Sequence, residues 1–147
     1  MRTQKKMPQR APSQTAQFMH MGARILAVLF LVVIIHESLL PVASTHSATH
    51  FDKLMHLAAY GALAAMYKFG WPSLKPIALA LGLIAVGGVV EIAQGVMAAG
   101  RTASFADGVA NSLGVILGIA FAIIILRIVR RGDGVSNRDS FRLAPEK

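Results

Sequence analysis

Three stretches of this chain place ionisable and amide side chains at helical spacing inside otherwise apolar sequence. Asp52, His56 and Tyr60 fall at i, i+4 and i+8; Glu91 and Gln94 are three apart; Asp107, Asn111, Gly114 and Gly118 step by four, three and four. Residues so spaced share one face of a helix. An ionisable group within a membrane-spanning helix costs several kcal/mol unless it is paired or hydrated, so each such stripe is a functional-site hypothesis. Lys53 adjoins the first stripe, and Arg101 lies in the short segment between the second and the third.

Several chemistries fit these residue types. A histidine or a desolvated carboxylate can serve as a general base, which makes His56 and Glu91 the catalytic candidates of an intramembrane enzyme acting on a lipid headgroup, with Arg101 stabilising developing negative charge. The sequence offers such an enzyme no serine with an evident base: Ser104 and Ser112 are nearby, without one. The same residues can instead bind. Lys53 and Arg101 suit a phosphate or carboxylate, and Glu91, Gln94 and Asn111 can hydrogen-bond a sugar or peptide headgroup. An acid beside Tyr and His can also relay protons, although four helices are few for alternating access and a homo-oligomer would then be needed. A metal held by His56, Glu91 and Asp107 is chemically feasible, but no His-x-x-x-His or Glu-x-x-His pair concentrates ligands on one helix, so neither a metal nor another cofactor is expected. The absence of cysteine excludes a disulfide scaffold, a thiolate nucleophile and Cys-ligated zinc or iron–sulfur centres.

The elements that must position these residues read as membrane spans. Of the 147 residues 54% are hydrophobic and 15% charged, and the mean hydropathy is +0.56, against roughly 45–50% apolar and about 25% charged in soluble domains. A bilayer core requires about 20 mostly apolar residues in helix, and four stretches meet that length: 23–42, 53–71, 76–99 and 107–126. The second is Ala-rich and weaker, interrupted by His56, Tyr60 and Lys68. The expected fold is therefore an all-α, four-helix transmembrane bundle (23–127) with short loops, a disordered basic N-tail (1–22) and a basic C-tail (128–147). The eleven apolar residues Ile25 to Ile35, followed by small residues at 42–44 and 46–48, also resemble a cleaved signal peptide. The 24-residue leader and Glu37 favour retention of the span.

With four spans, the N-tail, the second loop and the C-tail share one side and hold thirteen Lys and Arg, while Lys53 and Arg101 are the two on the other. Lys/Arg excess marks the cytoplasmic side, so both termini are expected in the cytoplasm and the stripes open outward. At a rise of about 1.5 Å per residue, His56 and Asn111 come about 6 Å below the outer ends of their spans, and Tyr60 and Glu91 about 12 Å below. The net charge of +8 sits in the tails, where it suits anionic membrane lipids; without aromatic interleaving it does not suggest nucleic acid. Gly82, Gly87, Gly88, Gly108, Gly114 and Gly118 are expected to let helices pack closely.

The ordered pattern Asp52-Lys53-x-x-His56-x-x-x-Tyr60, Glu91-x-x-Gln94, Arg101, then Asp107-x-x-x-Asn111-x-x-Gly114-x-x-x-Gly118 resembles the VanZ-like family of small bacterial membrane proteins. The resemblance implies a multi-pass inner or plasma membrane protein of the cell envelope. Founding members of that family are associated with resistance to the glycopeptide teicoplanin, which acts on cell-wall precursors outside the membrane. No reaction is carried over. The expectation is an outward polar pocket built from Asp52, Lys53, His56, Tyr60, Glu91, Gln94, Arg101, Asp107 and Asn111. It would handle an envelope amphiphile such as a lipid-linked wall precursor, with headgroup transfer or hydrolysis as the alternative.

Overall fold

Four helices make up a computed structural model of the chain, which describes residues 13–40, 50–97 and 104–142. They are α1 (Gln14–Leu39), α2 (His50–Gly70), α3 (Pro76–Met97) and α4 (Phe105–Arg142). Arg101, the small residues at 42–48 and the terminal segments 1–12 and 143–147 lie outside the described residues.

Local chemistry sets the starts. Ser13 caps α1, its side chain accepting the Ala16 N–H at 3.2 Å, and Ser104 caps α4, its Oγ accepting the Asp107 N–H at 3.4 Å. Each satisfies one of the unpaired donors of a helix N-terminus. Proline opens α3, where its missing N–H costs nothing. Two helices outrun the apolar spans: residues 14–22 and 127–142, read from sequence as polar tails, are helical. Once capped, a helix satisfies its own backbone whatever its side chains, so it need not stop where apolar sequence does.

Three helical segments are long and apolar enough to cross a membrane: Gln14–Leu39, Pro76–Met97 and Phe105–Gly132. The helix α2 is not among them, and its place in the packing explains why it is less apolar. It lies in the middle of the bundle, packed most extensively on α4 and also on α1 and α3. The core runs along it: Tyr60, Leu63 and Ala64 are buried against Ile34 of α1, Leu79 and Leu83 of α3, and Val115 and Ile119 of α4. A helix largely covered by protein needs small residues and hydrogen-bonding partners; most of the exposed Leu, Ile, Val and Phe lie on α1, α3 and α4, with Phe51, Leu54 and Met55 exposed near the start of α2.

Glycines set the distance between α2 and α4. A Cβ at Gly114 would overlap the Leu57 carbonyl oxygen, and one at Gly118 the Gly61 carbonyl oxygen. The backbones thus touch at two points one turn apart, as small residues permit in membrane helices. Gly87 on α3 makes room for the Tyr60 ring, 3.2 Å from where its Cβ would stand. By contrast Gly82, Gly88 and Gly108 have nothing within 4 Å of that position, so they do not share this packing role.

Candidate functional site

The close α2–α4 crossing brings the first and third stripes face to face at one end of the bundle. Lys53 Nζ donates to Asp107 Oδ1 at 3.1 Å. One turn deeper, His56 Nδ1 and Asn111 Oδ1 are 3.2 Å apart; because the amide oxygen can only accept, Nδ1 is the donor in this pair and Nε2 is the nitrogen turned away from Asn111. That Nε2 lies 4.0 Å from Asp52 Oδ2, one turn back on α2. Asp107 and Asn111 are buried, and Asp52, Lys53 and His56 are partly so.

Tyr60 continues the stripe inward and is only 2% exposed. Its hydroxyl is buried with no hydrogen-bond partner among the described residues. A buried polar group without a partner costs about 1–3 kcal/mol. The ring lies beside Gly87, and the Asn111 amide nitrogen is 3.4 Å from that same Cβ position, so Tyr60 and Asn111 meet α3 at a common point.

The second stripe divides. Glu91 reaches α4, its Oε1 accepting the backbone N–H of Ser104; the carboxylate thereby serves the start of the helix that carries Asp107 and Asn111, where negative charge also complements the helix dipole. Gln94 is buried but turns to the opposite neighbour, donating to the Ser38 carbonyl near the end of α1 at 2.8 Å. The structure therefore joins Asp52, Lys53, His56, Asp107 and Asn111, sets Glu91 and Tyr60 at their margin, and places Gln94 in the α1–α3 contact. Ser104 and Ser112 are both engaged with α4 backbone, Ser112 Oγ donating to the Gly108 carbonyl at 2.8 Å. His36 and Glu37 contact each other at 3.3 Å on the exposed surface of α1.

A second polar group, at the opposite end of α2, was missed by stripe reasoning. His20 Nδ1 lies 2.7 Å from the Phe69 carbonyl, Arg24 Nε donates to the Gly70 carbonyl at 2.8 Å, and Lys68 Nζ donates to the Pro72 and Leu74 carbonyls at 2.8 and 2.6 Å. The Arg24 guanidinium stands 5.3 Å from the centre of the Trp71 ring, which stacks on Tyr67. Basic residues near a helix C-terminus are the available signal. Lys68 carries it in α2 itself; His20 and Arg24 come from another helix.

No curated protein and no solved structure matches the chain. The family model described as VanZ/LLP1 matches residues 4–127 and so covers all three stripes together with the helices that carry them. With apolar helices suited to a lipid environment around a polar, α2-centred interior, the chain is a membrane protein that belongs to the VanZ/LLP1 family.

Proposed function

We propose that this protein spans the bacterial cytoplasmic membrane several times with both termini inside, and that the polar cluster at the outward ends of α2 and α4 binds the headgroup of an envelope amphiphile. Orientation draws support from charge: at the end where α1 begins and α2 finishes lie Arg24, Lys68, Lys75, Arg127, Arg130 and Arg131, while the other end has Lys53 among the described residues. In this reading Lys53, with Arg101 from the adjoining segment, meets a phosphate or carboxylate, and Asn111, Glu91 and Tyr60 hydrogen-bond the neutral part of the headgroup.

The observation that carries the reading is the Tyr60 hydroxyl, buried and without a partner at the inner end of a stripe of side chains that bond one another across two helices. Packing alone would be served as well by phenylalanine. A lipid-linked wall precursor combines the anionic and hydroxyl-rich groups that such a cluster complements, and protection against teicoplanin-type antibiotics would follow from handling that precursor or the antibiotic itself. The test is native mass spectrometry of the protein in nanodiscs containing a polyprenyl-pyrophosphate-linked sugar. Tyr60→Phe and Glu91→Gln should each reduce adduct formation at least fivefold at unchanged protein level, a loss of about 1 kcal/mol or more per hydrogen bond. Equal adduct formation by wild type and both variants would refute the proposal, as would unchanged antibiotic sensitivity of a host expressing Glu91→Gln.

A further inference from the structure

From the sequence a metal held by His56, Glu91 and Asp107 is chemically feasible though not expected; the structure gathers a different set. One ligand atom each from Asp52, His56 and Asp107 lies within 4.8 Å of the other two. Asp52 and His56 are four apart on α2, so the helix itself holds two of the three on one face, and the α2–α4 glycine crossing delivers the third. We propose that Asp52, His56 and Asp107 form a three-ligand site for a divalent first-row cation of the zinc type.

Four features support this assignment. The donor set, one imidazole nitrogen and two carboxylates, is one that zinc accepts with a remaining position for water or substrate. The imidazole is oriented as metal-bound histidines are: Nδ1 is held by Asn111 Oδ1, and Nε2 is the nitrogen turned toward the Asp52 carboxylate. The separation of 4.0 Å between His56 Nε2 and Asp52 Oδ2 is too long for a hydrogen bond, yet close to the about 3.4 Å that separates two ligands around a tetrahedral ion with bonds of about 2.1 Å. Small side-chain rotations close the difference. The fourth feature is charge: two carboxylates, those of Asp52 and Asp107, outnumber the one lysine ammonium beside them. The Lys53 ammonium balances Asp107, and its side chain, 35% exposed, can swing toward the interface when a divalent ion takes over that role.

This inference stands apart from headgroup binding, because the probe is Zn²⁺ alone. Full-length protein in detergent, stripped with a chelator, is titrated with Zn²⁺ by calorimetry and with Co²⁺ by visible absorption, whose intensity reports nitrogen and oxygen ligation in a site of low coordination number. One ion per chain is expected. Asp52→Asn, at a side chain 41% exposed and so tolerant of substitution, should weaken binding at least tenfold, the order found when groups around a bound metal are altered. His56→Ala should abolish the Co²⁺ spectrum. Lys53→Gln should tighten binding about fivefold by removing a competing positive charge, an effect with the opposite sign to that of any general destabilisation. His20→Ala should bind as wild type. Absence of saturable binding, equal affinity in Asp52→Asn, or weaker affinity in Lys53→Gln would each overturn the assignment.

Discussion

At the C-terminal end of α2, three basic side chains converge on backbone carbonyls: His20 on Phe69, Arg24 on Gly70, and Lys68 on Pro72 and Leu74. At its N-terminal end the ionisable groups meet other side chains instead, Lys53 with Asp107 and His56 with Asn111 and Asp52. The two ends contain similar residue types in a similarly apolar setting. Their roles differ because of what they face. A carbonyl at a helix terminus needs a donor and gives nothing further, so the first group closes the fold. A side chain paired with a side chain retains further polar atoms: the Lys53 ammonium has three N–H groups and uses one on Asp107, and His56 uses only Nδ1 on Asn111. The identity of an ionisable residue in a membrane helix therefore says less about its role than the kind of atom opposite it.

The largest change should come from separating α2 from α4, which removes the contrast between the ends by removing the site. Gly118→Leu places a side chain on the Gly61 carbonyl and Gly114→Val one on Leu57. Each should lower extractable, monodisperse protein more than tenfold, beyond the about 1–3 kcal/mol of ordinary overpacking, because backbone rather than a movable side chain is struck. Gly88→Leu, on an exposed face of α3 with nothing within 4 Å, should leave protein level unchanged. Size-exclusion chromatography of the three variants is the measurement, and a normal profile for Gly118→Leu would refute the crossing.

Where the polar residues lie along their helices was legible in the sequence, since the 3.6-residue period alone assigns Asp52, His56 and Tyr60, or Asp107 and Asn111, to one face. The partner of each was not. Glu91 bonds a backbone N–H and Gln94 a backbone carbonyl, and backbone groups are the same at every position, so no spacing rule points to them. The two classes of glycine show a similar limit: Gly82 and Gly88 look like Gly114 and Gly118 in sequence, but only the latter pair touches another backbone. The central place of α2 was hidden because weak apolarity reads as a doubtful span when lipid is assumed to be the solvent, whereas α2 buries Tyr60, Leu63 and Ala64 against the other three helices.

Smaller effects sharpen the contrast between the ends. Lys53→Ala leaves the Asp107 carboxylate, 10% exposed, without its partner; a cost of about 2 kcal/mol is expected, between the values for exposed and fully buried pairs. Adding Asp107→Ala should recover part of it, and the coupling is read from a double-mutant cycle in thermal or detergent unfolding. Additive losses would mean that the pair is incidental. Arg24→Ala should cost about 1–2 kcal/mol through the lost carbonyl hydrogen bond and the lost contact with Trp71. The amphiphile bound per folded molecule should not change, the reverse of the pattern expected for Glu91→Gln.

The smallest expected effect is also the most direct comparison, because it sets one histidine against another. His20→Ala removes a single neutral hydrogen bond to the Phe69 carbonyl and should lower stability by about 1 kcal/mol. His20→Gln should restore most of that, since an amide N–H can donate to the same carbonyl. At position 56 the imidazole bonds Asn111 through Nδ1 and turns Nε2 toward Asp52, 4.0 Å away. Glutamine can reproduce a donor there but not an imidazole lone pair held at the same place. His56→Gln should therefore recover stability relative to His56→Ala while binding of Zn²⁺ and of amphiphile stays low. If glutamine restored both properties at position 56, as it restores stability at position 20, the two ends of α2 would be doing the same work.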